Sequence, residues 1–467
     1  MAAAPNPTAA PPNRMADADL IVRGGTVVLP DELACGHDVA VVDGRIAAVG
    51  PQLPMTAHAE IEAGGLHVFP GGVDPHVHFN EPGRTEWEGI ATGSRSLARG
   101  GLTTYVDMPL NSLPVTADED AFELKVRAAN VSSLVDFGLW GGLVPGKLRH
   151  VEGLFRRGVL GFKAFMCESG MAEFPAVDDL TLCEGMRRCA EVGLPLLVHA
   201  ENAALVNELG RRAVAAGRVG PRDFAASRPV VAELEAISRA LFFAGETGCG
   251  VHVVHVSTAR GVELVEHARA NGLDASCETC PHYLLLSEAD FDELGAVAKC
   301  APPLRSASDR DALWELISQS RLRIVASDHS PCPPELKQGS DFFEVWGGIS
   351  GCQTTLQLLL AHGHERRGLG LPMVAGLTGA NAARRFRIGG KGAIEVGNDA
   401  DLVLLDLSQE WRLSAGELGY RHRHSPFVGW PLRGRVVRTL LRGRTVVAGG
   451  QVVSPPTGRL VTSGGGH

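Results

Sequence analysis

Residues 68–78 read VFPGGVDPHVH, an apolar run that passes directly into two histidines. Such a short run, almost free of charge, is typical of a strand that is covered on both faces in a parallel sheet. We therefore predict a strand over Val68–Val73 that ends beside His76 and His78. Alternate residues of an extended chain share a face, so the two imidazoles can point at one place.

Seven further apolar runs follow, and helical patterns such as Val231–Gly245 and Ala312–Ser318 separate most of them. The predicted strands are Thr103–Met108, Asp136–Leu143, Gly161–Met166, Pro195–Ala200, His252–Ser257, Ala275–Leu286 and Arg323–Ser327. Eight strands that alternate with helices predict an α/β fold, a (β/α)8 TIM barrel with insertions. An open doubly wound sheet is the alternative, but it needs a glycine-rich phosphate turn after its first strand, which this sequence lacks.

Both ends of the chain consist of short alternating strands bounded by Gly, Pro or Asp. Residues 18–66 and 390–455 each hold too few strands for a separate core, so we predict that they join into one small β-sandwich domain. Residues 67–389 then form the barrel domain. The predicted tails are residues 1–17, which are rich in Ala and Pro and expected to be disordered, and residues 456–467.

The composition excludes several classes of protein. The 467 residues are 45% hydrophobic and 21% charged, unlike a mainly disordered, collagenous or coiled-coil chain. A formal net charge of −9 without a long basic run argues against nucleic acid and an anionic membrane surface as partners. The sequence has neither an apolar window long enough to span a membrane nor the apolar core of a signal peptide, so we expect a cytoplasmic protein, with an organelle left open. Translation could start at Met1 or at Met15. The ten irregularly spaced cysteines predict free, mostly buried thiols.

Side chains that can bind a metal stand at or near the ends of five predicted strands. They are His76 and His78 on the first strand, Lys163 on the fourth, His199 on the fifth, His255 on the sixth and Asp328 after the eighth. Active sites of such barrels lie at the C-terminal ends of the strands, so we expect these residues to converge. Each alone has a structural alternative, such as a core histidine or a helix cap, and only the joint pattern favours a site. Imidazole and carboxylate ligands suit Zn²⁺, Mn²⁺, Co²⁺ or Fe²⁺.

Lys163 is the unusual member of this set. Only six of the 44 basic residues are lysines, and this one lies between Phe162 and Ala164 in an apolar strand. An unpaired ammonium buried there would be costly, and a buried ion pair with an acid is the structural alternative. The functional interpretation is a carbamate formed with CO₂, N6-carboxylysine, whose two oxygens can bridge two cations.

The chain resembles the cyclic amidohydrolases of the amidohydrolase superfamily, and within them the allantoinases. The segments that carry the resemblance are PGGVDPHVHFNEPGRTEWEGI (70–90), DMPLNSLPV (107–115), GFKAFM (161–166), LVHAENA (197–203), CETCPHYL (277–284), AKCAPPLRS (298–306), VASDHSPCPPEL (325–336) and YRHRHSPFVGW (420–430). They span nearly the whole chain. The metal motifs are common to the whole superfamily. The segments EPGRTEWEG, MPLNSLP and SDHSPCPPE narrow the resemblance to the allantoinases.

The resemblance implies two divalent metal ions, with zinc favoured over manganese, cobalt or iron. One would be held by His76, His78 and Asp328, and the other by His199 and His255. Carboxylated Lys163 and a hydroxide would bridge them. It further implies a homotetrameric enzyme of purine catabolism. The enzyme would hydrolyse a ring amide of allantoin to give allantoate, and Asp328 would carry the proton to the leaving nitrogen. Candidate substrate contacts are Asn80, Arg84, Asn111 and His329.

Two positions depart from sister families. Asn80 stands where dihydroorotase-like sequences have an Arg that holds a substrate carboxylate. Glu168 stands where dihydropyrimidinase-like sequences have a Tyr that stabilises the tetrahedral intermediate, which leaves that role open here. A hydantoinase or dihydropyrimidinase acting on another cyclic amide is the alternative function. An inactive dihydropyrimidinase-like scaffold is a remote one, because all six ligand positions are filled.

Overall fold

The computed structural model describes residues 17–463. Apart from Asp17, the predicted N-terminal tail, with both candidate start positions, lies outside this range. The strands are β1 Ala18–Val28, β2 Leu33–Val42, β3 Arg45–Pro51, β4 Ala57–Glu62, β5 His67–Pro70, β6 Gly72–Val77, β7 Leu102–Asp107, β8 Asp136–Leu139, β9 Gly141–Gly142, β10 Phe162–Phe165, β11 Leu196–His199, β12 Val251–Val253, β13 Ala275–Cys277, β14 Leu402–Arg412, β15 Pro431–Leu441, β16 Arg444–Ala448 and β17 Gln451–Val452. The α-helices are α1 Ile90–Arg99, α2 Glu119–Ser132, α3 Val151–Arg157, α4 Asp179–Glu191, α5 Ala203–Ala215, α6 Pro221–Ser227, α7 Val230–Thr247, α8 Ala259–Ala270, α9 Pro281–Leu285, α10 Phe291–Leu294, α11 Ala307–Ser318, α12 Thr355–Leu359, α13 Leu371–Ala375 and α14 Asn381–Arg385. Within residues 17–463, no helix combines the length and the apolar character that a membrane span requires.

The barrel wall consists of parallel strands in two sheets. One sheet has the order β6-β7-β8, and the other runs from β13 through β12, β11 and β10 to β9. Isolated bridges, Thr279 to Val325 and Val77 to His329, close the ring on the remaining side. The fold class, a TIM barrel with a small β-domain built from both chain ends, is confirmed.

Several predicted strands differ from the structure. The run predicted as Asp136–Leu143 is divided into β8 and β9, which belong to different sheets, and the run predicted as His252–Ser257 is a strand only over Val251–Val253. The run predicted as Val68–Val73 is divided at Gly71, where the chain leaves β5 and enters β6; a side chain at Gly71 would collide with Thr103. The run from Ala275 remains a strand only to Cys277, because Pro281 begins helix α9, a position that suits a residue without an N–H donor.

The predicted eighth strand, Arg323–Ser327, is wrong as a regular strand. Its backbone donors are divided among different partners: Val325 donates to Leu377, Ala326 to Thr279, and Ser327 to the Asp74 carboxylate. A continuous ladder of hydrogen bonds to one neighbouring strand cannot form when consecutive N–H groups donate to three different segments. The segment nevertheless completes the barrel through its isolated bridges.

The two ends of the chain share one mixed sheet of nine strands among the described residues. Its order is β17-β16-β15-β14-β5-β1-β2-β3, with β4 paired to β1. β14 and β5 are antiparallel neighbours, with Leu402 opposite Pro70, and Val22, Val68 and Leu404 pack in one core beneath them. Neither end could bury its apolar face alone. The domain boundaries themselves stay predictions.

A buried ion cluster joins this sheet to the barrel. The Lys391 ammonium lies 2.6 Å from the carboxylate of Asp136 at the start of β8, 2.8 Å from Asp399 and 2.9 Å from Asp401. Arg442 also pairs with Asp136. Three carboxylates from both parts of the fold therefore meet around one ammonium, and Arg442 joins the cluster through one of them.

The end of the described chain lies against the barrel. Leu460 bridges Phe137 of β8, and Ser463 bridges Ile388. Val461 donates to the Phe137 carbonyl at 2.8 Å, so this segment satisfies the free edge of β8. Part of the predicted tail, residues 456–463, therefore contacts the barrel, and residues 464–467 lie outside the described range.

Candidate active site

The predicted metal ligands meet at the C-terminal end of the barrel strands. His76 belongs to β6 and His78 follows it, Lys163 lies in β10, and His199 is the last residue of β11. His255 comes two residues after β12, and Asp328 lies in the irregular closing segment. Apart from Lys163, all of them line a single cavity of about 550 Å³.

His76, His78 and Asp328 form the first half of the site. Nε2 of His76 lies 3.0 Å from Oδ1 of Asp328, and Nε2 of His78 lies 3.5 Å from the same oxygen. Burial lowers the pKa of His76, but the carboxylates of Asp328 and Glu278 outweigh this effect and raise it to about 9. Three ligand atoms thus converge at a point where positive charge is stabilised, as a cation site requires.

His199 and His255 form the second half. Nδ1 of His199 lies 3.0 Å from Nε2 of His255, and the His255 ring lies 5.5 Å from that of His76. Burial lowers the pKa of His255 well below its ordinary value, and the charges of His199 and Lys163 lower it further. Burial also lowers the pKa of His199, so both rings are neutral at pH 7, which is the protonation state that binds metals.

Lys163 lies beneath the cavity with its Nζ buried and without a hydrogen-bond partner in the described part of the chain. The side chain is 1% exposed, and Phe165, 5.0 Å from Nζ, covers it. Burial lowers the pKa of the Lys163 amine to about 7, against the opposing effect of Asp328 and Glu278. An uncharged amine without a partner is the form that can react with CO₂.

Two carboxylates hold the histidine ligands from behind. Oε1 of Glu278 lies 2.6 Å from Nδ1 of His76, and a carboxylate oxygen of Glu201 lies 2.7 Å from Nε2 of His199. A carboxylate only accepts, so each contacted ring nitrogen carries a proton. The opposite nitrogen of His199 can then present a lone pair, and that of His76 can do so once a metal takes the place of the proton that Asp328 stabilises. Despite burial, which raises them, the pKa values of Glu201 and Glu278 are about 2, because positive neighbours stabilise the carboxylates.

The sequence analysis missed both carboxylates as well as Arg228, which lies 2.5 Å from Glu201. The available signal was proximity: Glu201 stands two residues after His199, and Glu278 lies within one of the quoted segments. A further group, Cys280 and His282 with Asp328, also has its ligand atoms close together. The site is therefore richer in donors than the strand ends alone indicate.

The backbone is strained at four positions around the site. The φ angles of His255 and Asp328 are 40° and 45°, and those of Asn80 and Asn111 are 65° and 66°. Residues other than glycine adopt such angles at a cost of about 1–3 kcal/mol each, and these angles concentrate at functional sites. His255 and Asp328 lie outside the regular strands, and their positive φ angles turn both side chains towards the cavity.

Of the four candidate substrate contacts, the structure brings only Asn111 to the cavity. Its amide lies 3.3 Å from Nδ1 of His78, so it also orients that ring. Asn80 is fully buried with its side chain towards the Pro331 carbonyl, and Arg84 lies 3.5 Å from Glu173. The cavity lining described here includes neither.

His329 also lies away from the cavity. It is 0% exposed, with its Nδ1 accepting from the Gly351 amide, and its ring packs 4.8 Å from that of Tyr420 and 6.0 Å from that of Phe79. This histidine is a core residue in the structure. Glu168 and Trp346, by contrast, line the cavity.

The residues present fit a metal-dependent hydrolase. The observation that decides this is how the ligand-type groups are held. Glu201 and Glu278 keep a proton on the ring nitrogen that each contacts, and the amine of Lys163 lies buried beside the histidines without a hydrogen-bond partner among residues 17–463. The chain belongs to the amidohydrolase family, whose model matches residues 67–446.

Individual relatives indicate which kinds of amidohydrolase the chain is similar to. The chain is 57% identical, over 95% of its length and 97% of the relative's, to a protein named allantoinase from Rubrobacter xylanophilus. It is 51% identical, over 96% and 99%, to an allantoinase from Solibacter usitatus. Among solved structures, the L-hydantoinase (dihydropyrimidinase) from Arthrobacter aurescens is similar with a TM-score of 0.93 and 36% identity, covering 95% of this chain and all of that one.

Proposed function

We propose that this chain is an allantoinase, which hydrolyses a ring amide of allantoin to give allantoate. The observation that carries the proposal is that the chain is 57% and 51% identical to two allantoinases over nearly its whole length. The six ligand-type residues at the mouth of the barrel support it, since an inactive relative would have no need to keep their geometry. The reaction adds water across a cyclic C–N bond, so it needs an activated water and a proton for the leaving nitrogen.

We further propose that the site holds two divalent metal ions, with zinc favoured. His76, His78 and Asp328 would hold one, His199 and His255 the other, and a carbamate on Lys163 would join them. When bound, such ions make water acidic enough to attack at neutral pH and polarise the amide carbonyl. The ring orientations that Glu201 and Glu278 impose on two of these histidines support this assignment.

Asp328 is the residue that moves the proton. Its carboxylate lines the cavity and lies within 3.0–3.5 Å of two histidines. Although burial raises its pKa, the charge and hydrogen bonds of His76 outweigh it and keep the pKa well below its ordinary value, so the group starts ionised. It can therefore accept a proton from the attacking water and deliver it to the ring nitrogen as the C–N bond breaks.

A hydantoinase or dihydropyrimidinase is the second candidate, since the solved structure with a TM-score of 0.93 has that activity in its name. Glu168 argues against it. This side chain lines the cavity at the position where dihydropyrimidinase-like sequences have a Tyr, and a carboxylate cannot donate to an oxyanion unless it is protonated.

A parallel assay tests the function. The protein, produced with zinc and bicarbonate, is given allantoin, hydantoin and dihydrouracil, and kcat/KM is measured for each. We expect allantoin to be the best substrate by at least about a hundredfold. A higher kcat/KM for dihydrouracil than for allantoin would refute the proposal.

We also propose that the enzyme is a homotetramer that works in the cytoplasm on this small molecule, without nucleic acid or membrane partners. Sedimentation velocity measures the first point directly. A monomer at micromolar concentration would contradict it.

A further inference from the structure

One side of the cavity is formed by irregular backbone. We call it the wall segment, Val345–Gly348; all four of its residues line the cavity, and none belongs to a helix or strand. It packs directly on the loop that carries Asp328, because a Cβ at Gly348 would lie only 2.4 Å from the Ser330 carbonyl oxygen. A small shift of the wall segment would therefore change the space beside the reacting groups.

Two lysine side chains hold this segment, Lys337 from outside the cavity lining and Lys299 from within it. Nζ of Lys337 donates to the carbonyls of Ala296, Trp346 and Gly348 at 3.0, 3.0 and 2.7 Å. Nζ of Lys299 donates to the Val345 carbonyl at 2.5 Å. Three of the four carbonyls of the wall segment are thus bound by ammonium groups.

The surroundings of Lys299 complete this arrangement. Its ammonium lies over the rings of Phe224 and Phe342, 4.6 and 5.5 Å from their centroids, and its own carbonyl accepts from the Gly348 amide at 2.7 Å. Burial lowers the pKa of Lys299 to about 7, and cation–π contact stabilises its charged form, which has one carbonyl partner among the described residues. The lysine is therefore fixed at both its backbone and its side chain.

The other lysines are used differently. Lys125, Lys147 and Lys391 each pair with an aspartate at 2.6 or 2.7 Å. Neither Lys299 nor Lys337 has a carboxylate within ion-pair distance in the described range, so their only anionic partners are the partial charges of carbonyls. An ammonium has three donors that point to the corners of a pyramid, which matches three converging carbonyls, whereas the guanidinium donors lie in one plane. This explains a lysine in a chain that otherwise prefers arginine.

We propose that Lys337 and Lys299 are positioning residues for substrate binding, which fix the wall segment and thereby the shape of the cavity. The inference rests on the proposed function only in taking this cavity as the place where the cyclic amide binds. Lys337 lies outside the cavity lining and acts through the backbone that it holds, whereas Lys299 holds the same backbone and is itself part of the lining. Their loss should therefore weaken binding of the substrate more than it slows the chemical step.

The first test is Lys337→Met, which keeps the length of the side chain and removes the donors. Hydrogen bonds to a charged group are strong enough that we expect KM for allantoin to rise about tenfold or more, with kcat within about twofold and bound metal unchanged. The matched control is Lys147→Met, a partly exposed lysine outside the cavity lining, which should keep wild-type KM. An unchanged KM in Lys337→Met, or a loss of metal together with kcat, would overturn the inference.

The second test needs no substrate. The amides of Trp346 and Gly348 donate to Leu336 and Lys299, so hydrogen exchange of a peptide covering the wall segment reports whether it is held. We expect exchange at least about tenfold faster in Lys337→Met and unchanged in Lys147→Met. Because this readout is independent of turnover, a wild-type protein without activity on allantoin would sink the proposed function while leaving the role of the lysines testable.

Two more variants separate charge from geometry. Lys337→Arg keeps the charge but not the pyramid of donors, so it should resemble Lys337→Met; wild-type KM and exchange in this variant would overturn the inference. If Lys337→Met does not fold, Lys299→Met removes a single carbonyl contact and should raise exchange by a smaller factor. Because Lys299 also lines the cavity, exchange rather than KM is the deciding readout for this variant. Wild-type exchange in Lys299→Met would overturn the inference equally.

Discussion

The buried amine of Lys163 predicts how the metal centre assembles with pH. Carbamate formation needs the neutral amine, and burial lowers the pKa of this group to about 7 from 10.5. At pH 6 roughly a tenth of the amine is neutral, and at pH 8 roughly nine tenths, whereas an exposed lysine would stay below about one per cent throughout that range.

These fractions determine how the rate of carbamate formation changes with pH. At constant dissolved CO₂, the rate of carbamate formation in metal-free protein should rise about tenfold between pH 6 and pH 8 and then level off. An ordinary lysine would instead gain about tenfold per pH unit up to pH 10. The plateau above pH 8 is therefore the distinguishing feature.

The assay uses ¹³C-labelled bicarbonate and follows the carbamate carbon by NMR, with metal binding measured in parallel. Lys163→Ala and Lys163→Arg are the controls, and both should show neither the resonance nor two bound metals. A rate that keeps rising through pH 9, or a full carbamate signal in Lys163→Arg, would refute the reasoning.

Three further predictions concern neighbouring groups. Glu201→Gln should weaken metal binding about 10–100-fold, measured by competition with a chelator, because an amide can no longer fix the His199 tautomer by charge. Asp328→Asn should lower kcat by at least about a hundredfold, measured by single turnover, because the proton carrier is lost. Lys391→Met should lower the free energy of unfolding by about 3–5 kcal/mol, measured by urea denaturation, because three carboxylates lose their shared counter-ion.

Each of these has a distinct control. Glu208→Gln changes an exposed glutamate on α5 and should leave chelator competition unaltered, so weakened binding there would contradict the role given to Glu201. A kcat of Asp328→Asn near that of the wild type would exclude Asp328 as the proton carrier. Equal unfolding midpoints for Lys391→Met and Lys147→Met would show that the cluster does not link the two parts of the fold.

The ligand positions could be predicted because residue type and strand position agree. His76, His78 and His199 stand at the ends of apolar runs, and in parallel strands those ends meet at one edge of the barrel. Lys163 could be predicted for a different reason, since a lone amine in an apolar strand needs an explanation. In both cases a local pattern carries long-range information.

The direction of side chains after a strand could not be predicted. His329 follows Asp328 and looks equally suited to a site, but the φ of 45° at Asp328 turns the chain and sends the histidine towards Tyr420. Alternation is a property of regular strands, and the segment that was predicted as Arg323–Ser327 is irregular. Glu278 was missed because its partner His76 is 202 residues away in the sequence, whereas Glu201 stands two residues from His199 and could have been found.

The shared sheet also has a consequence for synthesis. β5 pairs with β1 on one side and with β14 on the other, and β14 begins more than 300 residues after β5 ends. At ribosomal rates that interval lasts tens of seconds, during which one edge of β5 has no partner. The nascent chain must therefore protect an open strand edge until nearly all of it has been made, and ribosomes that stop before residue 402 release chains with that edge still exposed.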